Sequence, residues 1–184
     1  MDILKIITPE NPTLRQKAAP VERVRDMALQ QLIDQMIATM RSVNGAGLAA
    51  PQVDQSLRMA VIETPAEIDE EGEEIPNSRK LYTIINPEIT WASRKMVKGV
   101  EGCLSIPGYV GEVSRHQAIH VIGLDRSGKK LNLRLKGWDA RIFQHEIDHL
   151  DGVLYTDRLT APENFWTEEE FEELLKQEEV EAAD

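Results

Sequence analysis

The chain has 184 residues, 41% of them hydrophobic, and carries 21 Lys and Arg against 32 Asp and Glu for a net charge of -11. That is enough chain to bury one sizeable core. The acidic balance argues against a general nucleic-acid binder or a protein held on anionic lipid, since phosphate contacts need clustered cations. One cysteine rules out an internal disulfide framework and fits a reducing compartment or a thiol with a chemical role. The opening Met1-Asp2-Ile3-Leu4-Lys5-Ile6-Ile7-Thr8-Pro9 lacks the basic start and long apolar core of a signal peptide. No apolar run approaches the roughly 20 residues that span a bilayer. The expectation is a cytoplasmic protein with no stable nucleic-acid or membrane binding.

The first element is expected from about Val21 to Arg41. There Val24, Ala28, Leu32, Met36 and Met40 recur at four-residue steps, joined by Ile33 and Ile37, which predicts an amphipathic helix. Asn44-Gly45 stands just past its end as a stop signal. Pro9, Pro12 and Pro20 keep the preceding segment extended or turned. Strands are expected at Met59 to Glu63, Leu81 to Ile85, Ile89 to Val97 and Ala118 to Leu124, all rich in aliphatic or β-branched residues. Leu131-Asn132-Leu133-Arg134-Leu135 alternates as a half-buried antiparallel strand does, and Asp125-Arg126-Ser127-Gly128 before it reads as a hairpin turn. Glu63 to Ser78, rich in acids with Gly72 and Pro76, reads as an exposed, mobile loop.

Asp139 to Leu150 returns to helical spacing through Ile142, Ile147 and Leu150, and Asp151-Gly152 closes it. A last helix is predicted over about residues 167–181, opened by a capping box of Thr167 and Glu170. Phe171, Leu174 and Leu175 give it one apolar face, and the rest is acidic. With no repeat and no second domain visible, residues 1–184 read as a single domain. Helix, then strands, then helix points to α+β architecture.

The motif with most chemical content is His145-Glu146-Ile147-Asp148-His149. On a helix, residues i and i+4 share a face, so both imidazoles can reach one ion, and Glu146 stands beside them to handle a water proton. His116 and His120 lack such a partner and read as structural. The third ligand decides the class. Glu168-Glu169-Glu170 falls at the distance where one protease class places an acidic ligand, although so dense a charge run is more often a solvated helix face. Cys103, in Glu101-Gly102-Cys103-Leu104-Ser105, is the competitor. Two imidazoles and a thiolate suit iron, zinc or cobalt and leave a fourth position for water. Free Cys is often only a small buried hydrophobe, but flanking Gly102 and the turn expected at Ile106-Pro107-Gly108 imply a shaped backbone around the sulfur. Spacing alone leaves the two open.

Three blocks taken together resemble the peptide deformylase family: Gly45-Ala46-Gly47-Leu48-Ala49-Ala50-Pro51-Gln52, Glu101-Gly102-Cys103-Leu104-Ser105, and Gln144-His145-Glu146-Ile147-Asp148-His149-Leu150-Asp151-Gly152. They stand in the family's order, with similarity from about Ile3 to Leu159. The resemblance implies antiparallel sheets surrounding the helix that bears both His ligands, and a core over about residues 3–159. It implies removal of the formyl group from N-formyl-methionyl nascent peptides, with release of formate. Cys103, His145 and His149 would bind one divalent metal, Fe2+ in the cell, with Zn2+, Ni2+ or Co2+ able to substitute. Glu146 would be general base and then acid. Gln52 and the backbone N–H of Leu104 would donate to the formyl oxygen, and Ala46, Gly47 and Gly102 would line the peptide backbone. Trp138 and Ile142 could face an apolar slot for the methionine or be ordinary core, and Glu101 would pair with Arg115 to orient the Cys103 segment. Ala46 is smaller than the branched residue many members carry. The tail from Glu163 to Asp184 holds ten acids against Lys176 alone, so it would be repelled by RNA, leaving any ribosome contact transient or on another surface.

Overall fold

A computed structural model describes residues 2–66, 68–76 and 78–183, with side chains described as far as Glu178. The first helix, α1, runs over Met27–Ser42 and is capped by Asp26, whose carboxylate accepts from the Ala28 N–H at 2.8 Å. It begins later than expected. The Val21 backbone is held at both its N–H and its carbonyl by the Asn86 side chain, at 2.9 Å each, so those groups are committed to a loop contact and not to a helical turn.

Five antiparallel strands form one sheet: β1 (Gly47–Ala49), β2 (Met59–Glu63), β3 (Leu81–Ala92), β6 (Ala118–Leu124) and β7 (Lys130–Lys136), in the order β1-β2-β3-β6-β7. The remaining strands, β4 (Met96–Cys103), β5 (Ile106–His116) and β8 (Phe165–Thr167), make a second antiparallel sheet in the order β4-β5-β8. The stretch expected as one strand over Ile89 to Val97 is therefore two. The chain leaves the first sheet after Ala92, turns through Ser93–Lys95, where the Ser93 hydroxyl bonds the Lys95 carbonyl at 2.9 Å, and enters the second at Met96. The hairpin turn at Asp125–Gly128 forms as expected, with the Asp125 side chain accepting from Ser127 and Lys129 N–H groups.

Strand β2 is apolar from Met59 to Ile62 because both its faces are covered there. Side chains alternate across a strand. Ala60 and Ile62 thus join one cluster with Ile84, Ile119, Phe143, Ile147 and Leu150, while Met59 and Val61 join another with Ile33, Met36, Met40, Leu48 and Ile85. The first cluster packs the sheet against α2 (Gly137–Leu150), and the second packs it against α1. Helix α2 is buried on two sides. Ala140, Phe143, Ile147 and Leu150 face the five-stranded sheet, whereas Arg141 and Gln144 bond the second sheet: Arg141 to the carbonyls of Val97 and Gly99, Gln144 to the His116 N–H and carbonyl. Helix α2 closes at Asp151, followed by Gly152 at φ +75°, a left-handed stop for which glycine carries no steric penalty. A Cβ at Gly152 would also lie 2.8 Å from the Arg15 backbone.

The last helix, α3 (Glu168–Ala183), follows β8 directly, and the Thr167/Glu170 capping box is formed at 3.2 and 2.8 Å. In the acidic segment after β2, Ile68 bridges Glu74 in a small turn organised by the Asp69 carboxylate. Glu67 and Asn77 of the expected loop, and Asp184 of the acidic tail, lie outside the described residues. Among the described residues no helix is long and apolar enough to cross a membrane.

Candidate active site

Cys103 ends β4 at a break in the ladder. Gly102 pairs with Val110 but Cys103 pairs with Ile106, so Pro107, Gly108 and Tyr109 are looped out of register. The turn expected at Ile106-Pro107-Gly108 sits instead at Leu104–Ser105, with Ile106 already the first residue of β5. Proline cannot donate to a ladder, and Gly108 at φ +80° lets the chain swing outward there. The looped-out residues become one wall of a cleft of about 570 Å³.

At the base of this cleft the Cys103 sulfur lies 3.3 Å from His149 Nε2, which is 3.2 Å from His145 Nε2. His145 and His149 come from one turn of α2, and the sulfur comes from the other sheet, with the three ligand atoms all within 4.8 Å of one another. Glu168 lines the cleft, but among the described residues the group with metal-ligand geometry is Cys103, His145 and His149. Glu168, Glu169 and Glu170 take no part in it.

The surroundings fit a cation. His145 Nδ1 donates to the Glu101 carboxylate at 2.9 Å, so in the neutral ring the lone pair is on Nε2, the nitrogen that faces the sulfur and the second ring. Burial opposes charge on His145, yet its hydrogen bonds to Cys103 and Glu101 push it up to about 10, so this corner attracts a positive charge. Burial, and then the charge of His145, hold His149 well below its ordinary value, as a neutral ligand requires. Its Nδ1 has no hydrogen-bond partner among the described residues. Sulfur and two imidazole nitrogens form a borderline-soft donor set matched to Fe, Zn, Co or Ni, and not to Mg or Ca.

Glu101 organises the corner. It takes a two-pronged bond from Arg115 at 3.0 and 2.9 Å and another from Arg141 at 2.8 Å, all three side chains being buried. Burial would raise its pKa, but the bonds from His145 and Arg115 hold it down at about 2. Arg115 also reaches Asp148, and Asp148 takes Arg158 at 2.6 Å. The expected Glu101–Arg115 pair is thus part of a larger array, buried but for Arg158 at its exposed edge, in which sequence reasoning missed Arg141, Asp148 and Arg158. A signal existed. Arg141, Gln144, His145 and Asp148 recur at helical spacing, a polar stripe on a helix that also carries a full apolar face.

Glu146 is 4% exposed, and its Oε2 has no partner among the described residues. Burial raises it to about 7. Gly47 packs directly on it, because a Cβ there would lie 2.3 Å from Glu146 Oε1. Gln52 accepts from the Ala49 N–H at 2.9 Å through its carbonyl oxygen, which turns its amide toward Ser105 Oγ at 3.2 Å and Cys103 Sγ at 3.5 Å. Ala46, Gly47, Gly102, Leu104, Trp138 and Ile142 all line the cleft. Trp138 is half exposed at the mouth, while Ile142 is buried and also belongs to the core under the five-stranded sheet. His116 bonds the Ser93 carbonyl at 2.7 Å and His120 packs on Trp91, both away from this cluster.

Comparison with known proteins bears on the same residues. The family model "Polypeptide deformylase" matches residues 3–165. The chain is 47% identical over 181 residues to "Peptide deformylase 2" of Nostoc sp., covering 95% of this chain and 96% of that one. A crystal structure of peptide deformylase from Thermotoga maritima superposes with a TM-score of 0.77 at 36% identity, covering 88% of this chain and 100% of the other. A Met-Ala-Ser-bound class I type b peptide deformylase from Acinetobacter baumannii gives 0.75 at 35% identity, covering 86% and 99%. With most of its length matched and its cleft built from the three signature blocks, the chain belongs to the polypeptide deformylase family.

Proposed function

We propose that this chain hydrolyses the formyl group from the amino terminus of N-formyl-methionyl peptides, with Cys103, His145 and His149 holding the metal. The observation that carries this is the meeting of one sulfur and two imidazole nitrogens beside the buried Glu146 carboxylate. A divalent cation bound there supplies Lewis-acid chemistry, bringing hydroxide within reach at neutral pH. Everything else falls to the protein. Glu146 accepts the proton of the attacking water and passes it to the departing amine as the formyl C–N bond breaks, giving formate and a free amino terminus. Its burial beside the ligand pair raises its pKa, the direction that suits a group that must do both. Gln52 Nε2 and the Leu104 N–H donate to the formyl oxygen as negative charge builds on it, and such a donor is worth about 3 kcal/mol. Glu101, with Arg115 and Arg141 behind it, fixes the tautomer and orientation of His145.

The peptide binds extended between the Gly45–Gly47 segment and Gly102, in the manner of an added strand, and its methionine side chain lies against Ile142 and Trp138. The A. baumannii relative, seen with Met-Ala-Ser, supports a product of this kind. All of residues 1–184 work as one catalytic domain, with α2 as its central metal-bearing helix. The cellular metal is Fe2+, and Zn2+, Ni2+ or Co2+ can replace it. Nascent chains as substrates place the protein in the cytoplasm, and the acidity of α3 confines any ribosome contact to another surface or a transient encounter. Formate release from formyl-Met-Ala-Ser, measured beside Cys103→Ala, tests the assignment. Release by the native chain and its loss, together with bound metal, in the variant is the expected result. Equal release by both would refute it. Activity lost in air and kept under anaerobic, reducing handling is the expected signature of iron.

A further inference from the structure

Besides Cys103 and Tyr109, the cleft is lined by five acidic or basic side chains: Glu101, Arg141, His145, Glu146 and Glu168. Four are accounted for. Glu101 accepts from both Arg141 and His145, and Glu146 sits at the reaction centre. Glu168 is exposed and forms no ion pair among the described residues.

Its placement is fixed by strand pairing. β8 lies antiparallel to β5, with Gly111 opposite Phe165, Val110 opposite Trp166 and Tyr109 opposite Thr167. The next residue, Glu168, must therefore continue past Tyr109 toward Gly108 and Pro107, the looped-out wall of the cleft. The Tyr109 and Phe165 rings stack at 5.2 Å with a 4° interplanar angle, locking this pairing at the rim. Trp138, which also lines the cleft, is 52% exposed, and Tyr109 is itself 43% exposed. The mouth thus has two aromatic sides and one free carboxylate. A peptide whose formyl end lies at Glu146 advances about 3.3 Å per residue when extended, so its second and third residues leave through this mouth. Glu168 lies just beyond residues 3–165, the span matched by the family model.

We propose that Glu168 is a specificity residue, favouring a basic over an acidic side chain at the peptide positions that follow the formylated methionine. The proposal rests on the deformylase reading above. Glu169, Glu170, Glu172 and Glu173 on the same helix add to the field in the same sense. One solvent-exposed charge pair changes affinity by up to about fivefold. The ratio between an attracted and a repelled side chain should then be about three- to tenfold, and it should fall with salt.

The test compares kcat/KM for C-terminally amidated formyl-Met-Ala-Lys and formyl-Met-Ala-Glu, and for formyl-Met-Lys-Ala and formyl-Met-Glu-Ala, with formyl-Met-Ala-Ser as neutral reference. Amidation removes the terminal carboxylate that would otherwise mask the effect. The native enzyme should prefer Lys over Glu at one or both positions. Glu168→Gln should lower the ratio toward one, and Glu168→Lys should lower it further or reverse it. The ratio is taken within each enzyme, so a variant with a lower folded fraction still reports. Release of formate from the neutral peptide, with a Lys-to-Glu ratio the same in all three enzymes, overturns the role of Glu168 alone. No release from any of the peptides overturns the deformylase reading and this proposal with it.

Discussion

Gly47→Ala offers a sharp test of how the site is built. Gly47 opens β1 in ordinary extended backbone, so the alanine backbone itself is tolerated. The added Cβ, however, would lie 2.3 Å from Glu146 Oε1, 2.6 Å from Cδ and 2.8 Å from Cγ, where real Cβ atoms essentially never come closer than 3.0 Å. Glu146 is buried and held on α2, so it cannot swing into solvent. Its carboxylate must retreat by at least about 0.7 Å, and a displacement approaching 1 Å costs roughly a hundredfold in rate. The expected loss in kcat/KM is about one to two orders of magnitude, or roughly 1.4 to 2.7 kcal/mol in the barrier. The clash also lowers stability, within the roughly 1–3 kcal/mol typical of overpacking, but the metal ligands are untouched. The assay is formate release from formyl-Met-Ala-Ser, with metal content and the thermal midpoint measured on the same sample. A folded, metal-loaded variant with native kcat/KM would refute the claim that Glu146 acts from the position it occupies against β1.

Glu146→Gln keeps shape and ligands but cannot take a proton; it should hold its metal and lose about a hundredfold to ten-thousandfold in kcat, and native turnover would remove Glu146 from the mechanism. Arg141→Met leaves Glu101 buried with one cation fewer and should cost about 3–5 kcal/mol in denaturant unfolding; a change under about 1 kcal/mol would show that Arg115 alone satisfies Glu101. Exchanging Glu101→Arg with Arg115→Glu should not restore function as it would for an isolated pair, because the new arginine faces Arg141 and the new glutamate faces Asp148; a fully active double variant would contradict the array. Replacing Glu168, Glu169 and Glu170 together by Gln should leave metal stoichiometry at the native value, whereas its loss would move the third ligand from Cys103 to α3.

The features that sequence alone determined are those carried by neighbours in the chain. Strand β2, strand β6 and the capping box of α3 stand where expected, because a short run of aliphatic and β-branched residues and a cap at i, i+3 are local properties of the chain. The His145/His149 pairing is equally local, one turn of one helix. Tertiary structure decided what joins distant residues. Cys103 meets His149 across 46 positions, and spacing alone left it level with Glu168-Glu169-Glu170 as third ligand until the resemblance favoured it. Strands β1 and β8 are three residues each, too short for any period to register, and they exist because partners in β2 and β5 pair with them. The start of α1 moved from Val21 to Met27 because Asn86, 65 residues away, claims the Val21 backbone. Arg141 and Asp148 escaped notice for a related reason. A charged side chain reads as solvated in sequence, and only the approach of the second sheet to α2 turns that polar stripe inward, where Glu101 must be neutralised. Glu168 shows the converse: its sequence reads as surface, and it is surface, but the pairing of β8 with β5 makes that surface the mouth of the cleft.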